Sequence, residues 1–285
     1  MSFLKEVWKL TRFEHALMFA LSVLIAQIIS LGRFPDVSLL FFISLSVPVL
    51  SEVGSFSLND YLDVGTDRLN KKTDRPLVNG TILPGFALWL SIICLLLSTV
   101  LSVLFGTFVF LLVFLVNSFS VLYNWKLKDL PLAGNFYIAL TMGVPFIYGN
   151  LVVAQPLIPL IFILAMLGFV SGLAREIIKS IQDMAGDKAA RGSKTLPLLI
   201  GEKNSLIAAV FIYLIFVPLT FVPFFYGLQF NPFAVALILA ANLGIIYLCI
   251  NLVVSKDRHS AFKLARKLSL ISLFIGLCGF FIASI

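Results

Sequence analysis

Charged, cysteine and histidine residues are all scarce in this sequence. Only 12% of the 285 residues are charged, whereas about a quarter are charged in an average soluble domain. The three cysteines lie apart in apolar runs, and the two histidines, His15 and His259, are also far apart. This spacing argues against a disulfide framework, a zinc site or a histidine metal site.

Apolar residues dominate the composition instead. Hydrophobic residues make up 60% of the chain, including 28 phenylalanines, and the mean hydropathy is +1.05. A soluble core of ordinary size cannot bury so many apolar side chains, so most must face lipid or other lipid-facing helices. No long linker or low-complexity tract divides the chain, which predicts a single membrane-embedded domain over residues 1–285.

Nine apolar stretches are long enough to cross a membrane. A transmembrane helix needs about 20 apolar residues to span the hydrocarbon core. Stretches of this kind lie at residues 14–32, 36–58, 84–104, 106–124, 131–150, 157–180, 204–226, 231–254 and 264–284. The sequence therefore predicts an all-α membrane protein with about nine transmembrane helices.

The basic residues support this count and orient it. With nine spans and a cytoplasmic N-terminus, 20 of the 21 Lys and Arg residues fall on the cytoplasmic side, and only Arg33 falls outside. Positive residues concentrate on that side of membrane proteins, so we expect an external C-terminus and cytoplasmic charged loops. The net charge of +7 then reflects topology and anionic lipid headgroups. Neither a nucleic acid nor a protein partner is implied.

The first cluster of acids lies within residues 59–75, after the second apolar stretch. Asn59, Asp63 and Asp67 are four residues apart, so their side chains share one face if the second helix continues through them. Acids on one face repel each other unless a cation lies between them. Oxygen ligands without histidine or cysteine favour magnesium or a similar hard cation.

A second pair of acids, within residues 183–187, repeats this spacing. Asp183 and Asp187 follow Asp63 and Asp67, respectively, by 120 residues. A single pair of this kind is often only a solvated loop, but two pairs in register, both flanked by Lys and Arg, favour a metal site. Two related helical units would bring the acidic faces opposite each other across a central cavity.

Carboxylates interleaved with basic residues suit a diphosphate held by bridging metal ions. Magnesium commonly binds through one or two carboxylates together with substrate phosphates, and Lys and Arg take the remaining phosphate oxygens. The implied chemistry is departure of a diphosphate leaving group whose charge a metal stabilises. In a membrane, the molecule that carries this diphosphate would be an isoprenoid whose tail lies among the helices.

These motifs resemble those of the UbiA superfamily of intramembrane prenyltransferases. The family pattern NDxxDxxxD matches residues 59–67 in full, its DRP continuation matches residues 74–76, and its DxxxD pattern matches residues 183–187. The resemblance implies nine helices around a central cavity with a lateral opening to lipid. It also implies magnesium-dependent transfer of a prenyl group from a prenyl diphosphate, such as geranylgeranyl diphosphate, to an acceptor.

The resemblance also implies roles for individual residues. Asn59, Asp63 and Asp67 would hold one magnesium ion, and Asp183 and Asp187 would hold the second. We expect the diphosphate to be bound by the basic residues around the motifs, which are Arg68, Lys71, Arg75, Lys128 and Lys188.

Tyr123 completes the predicted catalytic set with the four aspartates. The family often has a tyrosine after the fourth span, although Asn124 here replaces the more usual serine. The ring of Tyr123 would face the developing allylic cation, where a ring face is favourable. An equally open interpretation is an aromatic residue of the membrane interface, like Trp8, Trp89 and Trp125.

The acceptor has two interpretations. Residues 175–179 resemble the archaeal branch that makes digeranylgeranylglyceryl phosphate, and Arg175 and Lys179, one turn apart, would suit a phosphate-bearing acceptor such as geranylgeranylglyceryl phosphate. Residues 12–15 instead resemble quinone-type members that act on aromatic acids, where Arg12 would meet a carboxylate. Arg12 also has a simpler explanation as a cytoplasmic anchor of the first span.

Two other function classes are compatible with charged residues in a membrane protein. A transporter uses intramembrane charges along an ion pathway, but here the acids lie at one membrane edge and polar residues within the spans are sparse. A non-catalytic prenyl-lipid binder would hold a prenyl diphosphate without turning it over. The two acidic motifs together favour the prenyltransferase.

Overall fold

The chain forms a helical assembly in the computed structural model, which describes residues 3–153, 156–192 and 194–285. Two short 3-10 turns follow the helices that we number α4 and α5, at Val103–Phe105 and Leu127–Asp129. The α-helices are α1 (Phe3–Thr11), α2 (Phe13–Leu31), α3 (Leu39–Leu69), α4 (Pro84–Ser102), α5 (Thr107–Trp125), α6 (Ala133–Val152), α7 (Pro159–Arg191), α8 (Leu196–Leu219), α9 (Val222–Phe225), α10 (Pro232–Val254) and α11 (Arg258–Ser284).

Nine helices in the described ranges are long and apolar enough to cross a membrane, which confirms the predicted all-α membrane architecture. The starts of two spans differ clearly from the predicted ones. Helix α8 begins at Leu196 rather than near residue 204, and α11 begins at Arg258 rather than near residue 264. Hydropathy marks only the apolar part of a span, whereas the helix continues through charged residues where its end reaches water.

Helix α1 precedes the first span and was not among the predicted elements. It buries Leu10 and Thr11 against the protein and exposes Phe3, Leu4 and Trp8. A short helix that presents aromatic and aliphatic side chains outward suits the plane of the membrane interface.

Helices α3 and α7 are longer than the hydrocarbon core is thick. They contain 31 and 33 residues, which corresponds to roughly 46 and 50 Å at about 1.5 Å per residue, against a core of about 30 Å. Their ends can therefore extend beyond the hydrocarbon, and the C-terminal part of each carries one acidic motif. The expected continuation of the second span through residues 59–67 is thus confirmed.

Close packing holds α7 against its neighbours. A Cβ atom on Gly143 of α6 would lie 2.5 Å from the Ala165 carbonyl oxygen, and one on Gly168 of α7 would lie 2.5 Å from the Met142 carbonyl oxygen. Small residues of this kind let helix backbones approach closely in membranes. The largest buried apolar cluster joins α7 to α8, α10 and α11. Helix α7 is therefore supported on several sides, which fixes the position of the second motif.

We expect Gly168→Ala to lower stability, because the new methyl group would meet backbone atoms that cannot move aside. Overpacking of this kind costs about 1–3 kcal/mol. The measurement is the midpoint of thermal unfolding in detergent. Gly85→Ala is the matched control, because a Cβ atom there has nothing within 4 Å. Equal midpoints for the two variants would contradict the close α6–α7 contact.

Candidate active site

A small polar cavity lies where the C-terminal parts of α3 and α7 meet. Helices α5 and α6 and the loops after α3, α5 and α7 complete its walls. The two acidic motifs, 120 residues apart in the sequence, therefore share one cavity. The residues singled out from the sequence that line it are Asn59, Asp63, Asp67, Arg75, Tyr123, Lys128, Lys179, Asp183 and Asp187.

Hydrogen bonds and an ion pair orient the first two motif residues. Asn59 Nδ2 donates to Asp63 Oδ2 and to Asn124 Oδ1, both at 2.9 Å. Lys128 Nζ lies 2.5 Å from the other oxygen of Asp63, Oδ1. Because the amide of Asn59 donates to both partners, its carbonyl oxygen is the atom that can act as a ligand. Asn124, which departs from the usual serine, thus helps to position the motif.

A turn at the end of α3 brings a lysine into the cavity. Lys71 has a left-handed backbone with φ 53°. The N–H groups of Lys71 and Lys72 donate to the carbonyl oxygens of Arg68 and Asp67 at 3.1 and 2.9 Å, as in a Schellman helix end. After this turn, Lys72 Nζ lies 3.3 Å from Asp67 Oδ1 and 2.8 Å from Asp183 Oδ1. One ammonium group therefore joins the two acidic motifs.

Asp60 holds two guanidinium groups. It is 3% exposed, and its Oδ1 lies 2.9 Å from Arg12 Nη2 and 2.5 Å from Arg75 Nη1. The guanidinium carbon of Arg12 also lies 4.2 Å from the centroid of the Phe56 ring. Burial lowers the pKa of Arg75, but the carboxylates of Asp60 and Asp67 more than offset this effect and raise that pKa. Asp60 thus ties the start of α2 to the loop after α3.

The carboxylates of the cavity suit a hard cation that binds together with phosphate. Asp67 Oδ2 is buried, and its 2.7 Å contact with Arg75 Nη1 is an ion pair without hydrogen-bond alignment. Within the described ranges, no three Asp, Glu, His or Cys side chains form a ready metal cage. Magnesium does not need one, because it keeps several waters and binds one or two carboxylates with substrate phosphates. The residues present therefore fit a magnesium–diphosphate group.

Three of the expected diphosphate ligands do not line this cavity. Arg68, Lys71 and Lys188 are exposed. Arg68 and Lys188 each follow a motif aspartate by one residue, which places them about 100° around the helix from the acidic face. Sequence reasoning missed Lys72, which lines the cavity in place of Lys71. The turn that ends α3 decides whether Lys71 or Lys72 points into the cavity. No glycine there signals the position of this turn in the sequence.

A larger, mostly apolar cavity adjoins the polar one. Its volume is about 150 Å³, against about 50 Å³ for the polar cavity. Glu176 and Lys179 line both cavities, and their side chains form an ion pair at 2.9 Å. Arg12 and Arg175, which were expected to bind the acceptor, line the larger cavity together with Arg266. The larger cavity therefore offers apolar volume with basic groups at its wall.

Tyr123 differs from the interfacial tryptophans with which it was compared. It is 7% exposed, whereas Trp8, Trp89 and Trp125 are 47%, 64% and 74% exposed. Its ring stacks on that of Tyr137, with centroids 5.3 Å apart and planes inclined by 30°. Burial in the cavity wall disfavours the membrane-interface interpretation and is compatible with a ring that faces the substrate.

Comparison with protein-family models gives a match over residues 17–276, to the UbiA prenyltransferase family. The chain is 36% identical to a digeranylgeranylglyceryl phosphate synthase from Archaeoglobus fulgidus, over 98% of this chain and 95% of the relative. It is 31% identical to the synthase of the same name from Thermococcus kodakarensis, over 99% of this chain and 98% of the relative.

Solved structures resemble the fold over its whole length. A structure described as giving insights into digeranylgeranylglyceryl phosphate synthase in membranes matches with a TM-score of 0.72 and 29% identity, over 100% of this chain and 99% of that one. A UbiA homologue from Archaeoglobus fulgidus bound to GPP and Mg2+ matches with a TM-score of 0.67 and 20% identity, over 96% of this chain and 99% of that one.

We expect Asp60→Asn to destabilise the protein strongly. The change leaves the half-buried guanidinium groups of Arg12 and Arg75 without the buried carboxylate that they share, and breaking a buried ion pair in this way costs about 3–5 kcal/mol. The measurement is thermal unfolding in detergent. Asp36→Asn is the control, because it breaks an exposed ion pair with Arg33 and exposed pairs contribute little. An unchanged midpoint for Asp60→Asn would show that Asp60 is not structural.

Proposed function

This chain belongs to the UbiA prenyltransferase family, and on that premise we propose that it transfers a geranylgeranyl group from geranylgeranyl diphosphate to geranylgeranylglyceryl phosphate. The chain is a multi-pass membrane prenyltransferase. The named relatives are synthases of digeranylgeranylglyceryl phosphate, a product with two geranylgeranyl groups on one glyceryl phosphate. Removal of one such group leaves the proposed acceptor.

The observation that carries this proposal is the convergence of the two motifs on one polar cavity beside a larger apolar one. Lys72 contacts both Asp67 and Asp183, so the motif ends lie close enough to serve one diphosphate. The adjoining cavity offers apolar volume for prenyl chains. This arrangement matches a substrate with a charged head and a long hydrocarbon tail.

The proposed reaction exchanges one bond of the allylic carbon for another. The C1–O bond to diphosphate breaks, and diphosphate leaves with the electron pair. A free hydroxyl oxygen of the glyceryl group then forms a C–O ether bond to C1, and its proton passes to the released diphosphate. Lys72, Arg75 and Lys128 are the proposed contacts of the leaving group, and the contact of each with a motif carboxylate supports this role. Tyr123 would present its ring face to positive charge at C1.

We propose that the two motifs hold magnesium, which supplies positive charge to the leaving diphosphate when it is bound. Asn59, Asp63 and Asp67 are the proposed ligands of one ion, and Asp183 and Asp187 those of a second. The buried Asp67 oxygen without an aligned hydrogen bond supports this assignment. Arg68 on α3, Lys188 on α7 and Lys71 just after α3 remain proposed diphosphate contacts, although all three are exposed and lie outside the polar cavity.

The proposed membrane orientation places the N-terminus and both acidic motifs in the cytoplasm and the C-terminus outside. The concentration of basic residues on the same side as the motifs supports it. Residues 1–285 would form one catalytic membrane domain, since the two cavities draw residues from α2, α3, α5, α6, α7 and α11. A diphosphate substrate would then enter from the cytoplasmic side.

Arg12, Arg175 and Lys179 are the proposed acceptor contacts from the sequence, and all three line the larger cavity. An aromatic acid is the alternative acceptor, since Arg12 would suit its carboxylate. Arg12 is already paired with Asp60, whereas Arg175 contacts neutral groups. This difference favours the phosphate-bearing acceptor at Arg175.

We expect the purified protein in nanodiscs to transfer label from geranylgeranyl diphosphate to geranylgeranylglyceryl phosphate when magnesium is present. Removal of magnesium with a chelator should abolish transfer, because the diphosphate loses its counter-charge. The measurement is chromatography of the labelled lipid product. An aromatic acid serves as the competing acceptor in parallel reactions. Transfer to the aromatic acid alone would contradict the proposed acceptor, and transfer to neither would contradict the proposed function.

We expect Asp63→Ala and Asp183→Ala each to lower transfer by at least about 100-fold, the scale of losing a group that stabilises transition-state charge. Each change removes a carboxylate from the polar cavity. Asp36→Ala is the control, because Asp36 is exposed and remote from both motifs in the chain. The measurement is the initial rate at saturating substrates. Full activity in either motif variant would contradict the two-motif assignment.

A further inference from the structure

The basic groups around the larger cavity are unequally neutralised. Arg12 is paired with Asp60, and Lys179 is paired with Glu176. Within the described ranges, neither Arg175 nor Arg266 has a carboxylate within ion-pair distance. The other Lys and Arg residues of the two cavities all form such pairs, which are Arg12–Asp60, Lys72–Asp67, Lys72–Asp183, Arg75–Asp60, Arg75–Asp67, Lys128–Asp63 and Lys179–Glu176.

Neutral groups take the hydrogen bonds of these two arginines. Arg175 Nη1 donates to Ser269 Oγ at 2.8 Å and to the backbone oxygen of Arg266 at 3.1 Å, and its Nη2 lies 3.3 Å from His15 Nε2. Arg266 Nη1 donates to Gln182 Oε1 at 3.3 Å. Such contacts hold a guanidinium in place without cancelling its charge. A charge taken out of water is costly without a counter-charge, so this pair favours a bound anion.

The location separates this anion from the diphosphate. Arg175 and Arg266 line the apolar cavity and not the polar cavity that contains the motif carboxylates. They come from α7 and α11, which pack against each other. A transfer between two anionic lipids needs a second cationic site for the acceptor, apart from the one that holds the leaving group.

We propose that Arg175 and Arg266 form the site for the phosphate of the acceptor, an inference that rests on the proposed prenyl transfer to a glyceryl phosphate lipid. Two guanidinium groups from different helices match a phosphate, which offers several anionic oxygens. A single carboxylate could be matched by one guanidinium and would leave the second without a counter-charge. The pair therefore selects phosphate over carboxylate.

The test compares Arg266→Gln with Lys267→Gln, which removes the same charge from the next residue of α11. Lys267 is exposed, whereas Arg266 lines the cavity. We expect Arg266→Gln to raise KM for geranylgeranylglyceryl phosphate by about tenfold or more, since a charge-assisted hydrogen bond is lost. KM for geranylgeranyl diphosphate should stay within about twofold in both variants. Lys267→Gln should match the unmodified protein in both constants.

A binding measurement without turnover gives a second readout. In the absence of magnesium and geranylgeranyl diphosphate, geranylgeranylglyceryl phosphate should raise the unfolding temperature of the unmodified protein in a saturable way, because a ligand of the folded state stabilises it. Geranylgeranylglycerol, which lacks the phosphate, should stabilise the unmodified protein and Arg266→Gln equally. Arg266→Lys keeps the charge but loses the planar fork, so it should raise KM for the acceptor less than Arg266→Gln does. If Arg266→Gln does not fold, Arg266→Lys replaces it in the comparison with Lys267→Gln.

The possible outcomes distinguish failure of the proposed acceptor site from failure of the proposed prenyl transfer. Equal KM values for the acceptor in Arg266→Gln and Lys267→Gln, with active unmodified protein, would overturn this inference alone. A rise confined to KM for geranylgeranyl diphosphate would also overturn it and would assign the pair to the leaving group. Absence of transfer by the unmodified protein with every acceptor would overturn the proposed function itself.

Discussion

Negative charge is concentrated near the C-terminal ends of α3 and α7, and the packing around both ends must balance it. Carboxylates there meet the negative end of the helix dipole as well as each other, so they are unfavourable without nearby cations. Lys72, Arg75 and Lys128 supply that charge and hold the motif residues in one arrangement. The same balance suits a diphosphate that binds with magnesium, because the two bring negative and positive charge into the cavity together.

Two kinds of electrostatic environment lie next to each other in this fold. The polar cavity has acids and bases in close pairs, whereas in the apolar cavity the guanidinium groups of Arg175 and Arg266 contact neutral atoms. Glu176 and Lys179 line both cavities, so the boundary between them is a single ion pair. Such an arrangement would let two anionic lipids bring their reacting ends together while their charged heads stay apart, which reduces their mutual repulsion.

The sequence was informative wherever a short-range rule applied. The spacing of Asn59, Asp63 and Asp67 placed them on one helical face, and the length of the apolar runs predicted the spans. The contribution of Lys72 could not be predicted, because it depends on the left-handed backbone of Lys71 just after α3, where no glycine marks the turn. A one-residue change in that end would send a different side chain into the cavity.

Hydropathy and helical periodicity are local properties, so the amino-acid sequence was enough to predict about nine spanning helices and two acidic motifs. Which charges meet depends instead on how the helices pack. Asp60 is paired with Arg12 and Arg75, and Arg266 lies beside Arg175, although long stretches of chain separate most of these residues. The physical reason is that neutralisation of a buried charge depends on distances of a few ångströms, which are set by how the helices pack.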